Sequence, residues 1–300
     1  MNIIVTGADG FVASYLIPRL IKDNHELLLI GKDSNMLKKK YNVSESPISY
    51  VNLDQKLLID QIKDFVPNVV VHLATYYTAS DEYSDMELLI EANILFLTKL
   101  LDALKNTNLD CFIYTGSCTE YYKGDKIYDP AYLYSATKTA GRSFLNYYAD
   151  IYEFKTLQVI PYTVYGGVDT RKKIIDLLYD SLEAQIPVET TLGEQILDFI
   201  HVEDLVELFV QILEQYPNIP NKADIEAGTG FGYSLKHIAF LLQKYSGKET
   251  NIKWGGVPYR KKDTMHAIAN LKSQKSFFSW KPIINIEDGI ISYLNAKNNN

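Results

Sequence analysis

Tyr134 and Lys138 stand four residues apart in Tyr134-Ser135-Ala136-Thr137-Lys138. On a helix, positions i and i+4 share a face, so a phenol and an ammonium can serve one pocket. An ammonium about 4 Å from a phenol favours the phenolate by roughly 4 kcal/mol at an effective dielectric near 20. Burial opposes this. The net effect can still bring the phenol nearer to neutral pH, where it can exchange a proton with a substrate oxygen. A Tyr-x-x-x-Lys pair is common in a chain with 23 tyrosines, and most such pairs only pack. Ser117 singles this one out. It follows the strand-like run Cys111–Gly116, at the kind of strand end where an open α/β sheet binds ligands.

A second chemical feature lies near the start. Thr6-Gly7-Ala8-Asp9-Gly10-Phe11-Val12-Ala13 joins a strand to a helix. Gly7 permits a tight turn, Gly10 lets backbone approach a pyrophosphate, and Ala13 is small enough for helix–strand packing. The next strand ends Leu29-Ile30-Gly31-Lys32-Asp33. Gly31 stands where an acid would accept from the ribose of NAD, and Lys32 suits the 2′-phosphate of NADP. The reading leans to NADP, and Asp9 and Asp33 keep NAD open.

The elements that must position these residues alternate. Asn2–Thr6, Glu26–Ile30, Ile48–Leu53, Asn68–Ala74, Cys111–Gly116 and Lys155–Pro161 read as short apolar strands. Helices are predicted near 11–23, 56–65, 86–106 and 131–152. Strands buried on both faces and separated by helices form a parallel sheet. The fold class is α/β, a Rossmann-type doubly wound sheet with a smaller C-terminal lobe. The dinucleotide domain is expected over 1–165, completed by part of 195–230. The remainder, 166–300, is read mainly as a substrate-binding lobe, with helices near 171–185, 202–215, 233–246 and 286–297.

Composition excludes several classes. The 300 residues carry a net charge of −7, which argues against general binding to nucleic acid or anionic membrane. No apolar run approaches the roughly 18 residues of a membrane span. Met1–Val5 already reads as strand and leaves no room for a signal peptide. Cys111 and Cys118 cannot by themselves build a disulfide framework or zinc site, and a reducing cytoplasm is expected. His72 and His201 read as packing residues, and no metal spacing is present.

Taken together, the Gly-rich turn, Ser117 and Tyr134/Lys138 resemble the extended short-chain dehydrogenase/reductase family. More narrowly they resemble its NAD(P)-dependent epimerase/dehydratase branch, which acts on nucleotide sugars. Val69–Ala74, Asn93, Val164-Tyr165-Gly166, Asp198-Phe199-Ile200-His201-Val202-Glu203-Asp204, Trp280-Lys281-Pro282 and Glu287-Asp288-Gly289-Ile290 match further family motifs. The resemblance implies that Tyr134 is the acid/base, that Lys138 holds the nicotinamide ribose, and that Ser117 orients the sugar oxygen. It implies cofactor contacts from Gly7, Gly10, Phe11, Val12, Lys32, Asp54, Leu73, Ala74 and Pro161. It implies substrate contacts from Thr75, Thr163, Arg171 and Arg260, with Tyr162, Tyr165 and Tyr259 lining the cleft. A homodimer through the two helices that flank the fifth strand is also implied, with Leu89, Phe96, Leu97, Leu100 and Leu104 as apolar surface.

Departures from the family narrow the reaction. Its 4,6-dehydratases follow the catalytic hydroxyl with Asp-Glu, whereas Cys118-Thr119 follow Ser117. The expected function is therefore a nucleotide-sugar 4-ketoreductase moving hydride between NADPH and sugar C4. A 4-epimerase with tightly bound NAD is the alternative, and a non-catalytic nucleotide sensor is a minor one.

Overall fold

Strands that are apolar on both faces can be buried only inside a covered sheet, and the first half of the chain builds one. The computed structural model describes residues 1–41, 48–51, 55–80, 82–123, 128–167, 169, 172–272 and 274–298. Its elements begin β1 (Asn2–Thr6), α1 (Phe11–Lys22), β2 (Glu26–Ile30), α2 (Ser34–Tyr41), β3 (Ile48–Val51), α3 (Gln55–Phe65) and β4 (Val69–His72). Next come α4 (Tyr83–Ile90), α5 (Phe96–Leu104), β5 (Cys111–Thr115), α6 (Leu133–Tyr152) and β6 (Lys155–Pro161). A π-helical stretch, Glu91–Leu95, joins α4 to α5. The second half contains β7 (Thr163–Tyr165), α7 (Ile174–Asp180), β8 (Val188–Thr190), β9 (Ile196–His201), α8 (Val202–Gln215) and β10 (Ala223–Ala227). It ends with β11 (Gly232–Ser234), α9 (Leu235–Ser246), β12 (Ile252–Trp254), β13 (His266–Ala267) and α10 (Ile286–Asn298).

The main sheet runs β10-β6-β5-β4-β1-β2-β3. The pairs β1–β2, β1–β4, β2–β3, β4–β5 and β5–β6 are parallel. The order reverses at β1, the switch point at whose strand ends an open α/β sheet binds its ligands. This is the Rossmann-type α/β fold expected from the alternation. α2 was not foreseen, because its run is polar and buries only Leu37 and Tyr41.

The chain divides into two compact units. The first comprises Met1–Glu120, Tyr132–Ile160 and Phe209–Ile225. Its core joins Ile4, Leu28, Val70, Leu97, Leu100, Leu104 and Phe112. Leu89, Phe96, Leu97, Leu100 and Leu104 are all buried. They face the core and cannot form a docking surface, which corrects their expected role. On α5 the apolar stripe is simply the side that meets the rest of the fold.

The second unit comprises Tyr121–Ala131, Pro161–Leu208 and Glu226–Asn300. Here β9 pairs with β7, β11 and β13, and β8 pairs with β12. Two acids of the Asp198-to-Asp204 motif act as backbone clamps. Asp198 accepts N–H groups of Thr229, Gly230 and Ala269 at 2.8–3.2 Å. Asp204 accepts those of Ile283 and Ile284, each at 3.0 Å. His201 packs under Gly166, where a Cβ would come within 2.4 Å of its Nε2. Tyr165 is 2% exposed, packed edge-on to Phe199 and His201. It belongs to the core of this unit and cannot line a cleft as expected.

No helix among the described residues is long and apolar enough to cross a membrane. Gly289 offers a sharp test of the packing. Gly→Ala in a helix interior ordinarily stabilises by about 1 kcal/mol. At Gly289 the added Cβ would lie 1.9 Å from the Tyr165 hydroxyl oxygen. Gly289→Ala is expected instead to destabilise by about 1–3 kcal/mol through overpacking, measured by urea denaturation.

Candidate active site

β5 delivers Ser117 and α6 delivers Tyr134 and Lys138, all within the first unit. Ser117 opens a short 3₁₀ turn, Cys118–Glu120. Its N–H donates to Glu120 Oε1 at 2.8 Å, and its hydroxyl accepts the Thr119 N–H at 3.2 Å. The sequence Ser-x-x-Glu is the capping-box pattern, so this reciprocal arrangement is local in origin. The Ser117 hydroxyl also pairs with Thr119 Oγ1 at 2.7 Å, and Thr119 Oγ1 pairs with Ser135 Oγ at 2.7 Å. A chain of three hydroxyls thus links the strand end to the first turn of α6.

Tyr134 is 6% exposed. Its phenol hydrogen-bonds Thr75, and the Tyr77 ring meets its ring edge-on at 5.0 Å. Thr75 is held in turn, donating to Asn93 Oδ1 at 2.9 Å. Asn93 also accepts the Tyr76 N–H and donates to Tyr76 O and to Thr137 Oγ1, all within 3.1 Å. Asn93 sits at the centre of the π-helical stretch, a form of helix that recurs at functional sites.

Lys138 is 1% exposed. Its ammonium donates to the Thr115 carbonyl at 3.0 Å and lies 5.2 Å from the Tyr114 ring centroid and 5.9 Å from that of Tyr134. Burial pulls the Lys138 ammonium down to about 8, against the charge of Glu120, which raises it. Burial also raises Tyr134, outweighing the Thr75 hydrogen bond, so the phenol stays protonated at neutral pH. The direction is opposite to the lowering that the Tyr134/Lys138 spacing suggested, because desolvation is the largest influence. Such a phenol is suited to giving a proton to a developing alkoxide.

Glu120 was missed by the sequence reading, though the capping-box spacing pointed to it. It is fully buried, and burial raises its carboxyl despite opposition from Arg142 and the Ser117 N–H. Gln158 Nε2 and Thr139 Oγ1 also donate to it, at 3.3 and 3.2 Å. His72 is buried beside Lys138 and held well below its usual value by desolvation first and by that charge second. Its Nδ1 shares a hydrogen bond with Thr6 Oγ1, 2.9 Å away, and the same hydroxyl accepts the Ala74 N–H at 3.1 Å.

The Gly-rich turn fits a dinucleotide. Gly7 has φ +65°, and a Cβ there would stand 2.7 Å from Ala74 N. Only glycine lets the loops after β1 and β4 approach so closely. Gly10 is the N-cap of α1, and no side chain caps that helix. Its first turn, with Phe11 and Val12, therefore points N–H groups towards any bound anion. Leu73, Ala74 and Thr75 continue from β4 and are half-buried, while Lys32 is exposed. Pro161 closes β6. Thr163 on β7 and exposed Arg260 belong to the second unit. In that unit Tyr162 donates to Glu226 at 2.9 Å, and the Tyr259 hydroxyl accepts the Glu194 N–H at 3.1 Å. Asp54 and Arg171 lie outside the described residues.

A sequence profile described as the NAD dependent epimerase/dehydratase family matches residues 3–228. CDP-abequose synthase of Salmonella typhimurium is 30% identical over 96% of this chain and 95% of its own length. UDP-glucose 4-epimerase of Mycolicibacterium smegmatis is 26% identical over 70% of this chain and 72% of its own. Among solved structures, UDP-glucuronic acid 4-epimerase from Bacillus cereus, in complex with UDP-glucuronic acid and NAD, superposes with a TM-score of 0.89. It is 22% identical and the match covers 100% of this chain and 99% of that one, a likeness of fold.

The buried charges generate a pH prediction. In the free protein, kcat/KM should fall on an alkaline limb near pH 8, as Lys138 loses its proton. The Glu120 charge raises Lys138, so Glu120→Gln should move that limb to lower pH. A pH–rate profile of both proteins measures it, and coincident limbs would contradict the coupling.

Proposed function

This chain belongs to the NAD dependent epimerase/dehydratase family, and on that premise we propose that it is a 4-ketoreductase of a CDP-linked sugar. It is an NAD(P)-dependent enzyme of the short-chain dehydrogenase/reductase type. The observations that carry the reductase reading are the buried, protonated Tyr134 and the Cys118 and Thr119 that follow Ser117 in place of an acid pair. CDP as carrier rests on the similarity to CDP-abequose synthase along nearly the whole of both chains.

Gly7, Gly10, Phe11 and Val12 would hold a reduced nicotinamide dinucleotide, which would supply hydride chemistry at C4. Tyr134 gives its phenolic proton to the C4 oxygen, completing the hydroxyl. Ser117 donates a hydrogen bond to the same oxygen and is held by Thr119 and the Glu120 carboxylate. Thr75 and Asn93 hold the phenol in place. Lys138 supports the nicotinamide ribose and keeps a positive charge behind Tyr134. In the second unit, residues 166–300 contribute most of the substrate lobe, and Thr163 and Arg260 are assigned to the sugar nucleotide. Lys32 favours NADPH as donor, and Asp9 favours NADH.

A 4-epimerase reading is favoured by the epimerases among the relatives. It uses the same residues with NAD retained through the cycle. An NAD(P)-dependent enzyme is also no mere sensor. A homodimer through α5 and α6 is supported by Phe144, Tyr147 and Ile151, which are large and exposed. Thr98, Ser143, Phe144, Tyr147 and Tyr148 line a hollow of about 620 Å³ on this face. Cys111 and Cys118 are free thiols, which suits a cytoplasmic setting.

Incubation with a CDP-4-keto-6-deoxyhexose and either reduced dinucleotide should yield the C4 alcohol with stoichiometric oxidation of the donor. Tyr134→Phe should lose about 10²–10⁴-fold in turnover. Interconversion of two CDP-hexoses without net oxidation, with NAD⁺ released on denaturation, would establish the epimerase instead. Tyr147→Glu should yield monomers in sedimentation if the α5/α6 face is the interface.

A further inference from the structure

The end of β2 lacks the side chain that the cofactor ribose ordinarily meets. Gly31 is buried there, immediately after Ile30. In dinucleotide folds an acid at this point accepts from the ribose hydroxyls and opposes a 2′-phosphate. Three charged residues flank the gap. Lys32 is exposed to water. Asp33 is committed to its own helix: its Oδ1 accepts the N–H groups of Asn35 at 2.8 Å and Met36 at 3.2 Å, at the start of α2.

Asp9 remains, and it comes from a different loop. A Cβ built on Gly31 would stand 3.4 Å from Asp9 Oδ1. Leu37 Cδ1 would be nearer, at 2.9 Å, so a side chain at position 31 would meet Leu37 first, with the Asp9 carboxylate bordering the same space. The loop that carries it is fixed on both sides. Ala8 donates its N–H to the Ile30 carbonyl at 3.2 Å, and its own carbonyl accepts the Tyr41 phenol at 2.9 Å. Among the described residues no hydrogen bond or ion pair engages the Asp9 carboxylate. It is half-buried, and the nearby Lys40 and Tyr41 sense its charge.

We propose that Asp9 is the ribose-binding acid of this chain and selects NAD(H) over NADP(H). The glycine at position 31 is then half of an exchange: the acid has moved from the end of β2 to the turn after β1. Lys32 does not reverse the choice, because its charge is solvated and screened whereas the Asp9 carboxylate is held at the ribose. This inference rests on the family's dinucleotide binding and not on the keto-sugar reaction, so a failure to reduce any keto-sugar leaves it standing.

Titration of the purified chain with NADH and with NADPH, followed by nicotinamide fluorescence, tests it without turnover. The unsubstituted protein should bind NADH at least about tenfold more tightly than NADPH. Asp9→Asn keeps the size of the side chain and removes its charge. It should weaken NADH and strengthen NADPH, narrowing the ratio by about tenfold. Asp9→Ser should do the same. Equal or tighter binding of NADPH by the unsubstituted chain overturns the proposal. An unchanged ratio in both Asp9 variants, with unchanged melting temperatures, overturns it equally.

Discussion

Burying the Lys138 ammonium is the constraint around which the first unit is organised. An isolated ammonium loses several kcal/mol on leaving water, so its partners must be supplied by the fold. The Thr115 carbonyl, left over at the end of β5, accepts from it. Glu120 supplies the opposing charge, and Arg142 balances Glu120 in its turn. The neighbouring groups conform. His72 stays neutral, Tyr114 offers its ring face and donates its hydroxyl to the Lys138 carbonyl, and Gly141 leaves room for that hydroxyl. Few of these residues touch a reacting atom, yet each is needed for a cation to sit dry behind Tyr134.

The parts of the fold that depend on periodicity were legible in the sequence. Val69–Val71 and Leu27–Ile30 are apolar without alternation, and both runs are buried strands. The Gly7–Gly10 turn was legible because glycine has a backbone reason to be there. Tyr134, Lys138 and Ser117 were legible from spacing and strand position. The sign of the Tyr134 shift was not, because it depends on how completely the phenol leaves water. Nor was the direction of the α5 leucines, since an apolar stripe states that a face is covered and not by what. Asp9 beside Gly31 is a contact between two loops that no linear spacing encodes.

The second unit shows how a motif can be specific to a family without doing chemistry. Asp198, Asp204 and His201 are titratable side chains within one family motif. In the fold the two acids accept backbone N–H groups of Thr229, Gly230, Ala269, Ile283 and Ile284. A carboxylate with several N–H donors is a rigid junction between segments distant in sequence. The chain spends these charged side chains on architecture.

The π-helical stretch carries a consequence of its own. Each residue added to a helix rotates the downstream side chains by about 100°. Leu88 and Ile90 are exposed before it, and Leu97 and Leu100 are buried after it. Shortening Glu91–Leu95 by one residue would let a regular α-helix run through and improve local hydrogen bonding. The same deletion would swing Asn93 off Thr75 or the leucines off the core, because one rod cannot satisfy both in regular form. The irregularity is the joint that lets a single helix obey two templates. Selection for stability alone would erase it.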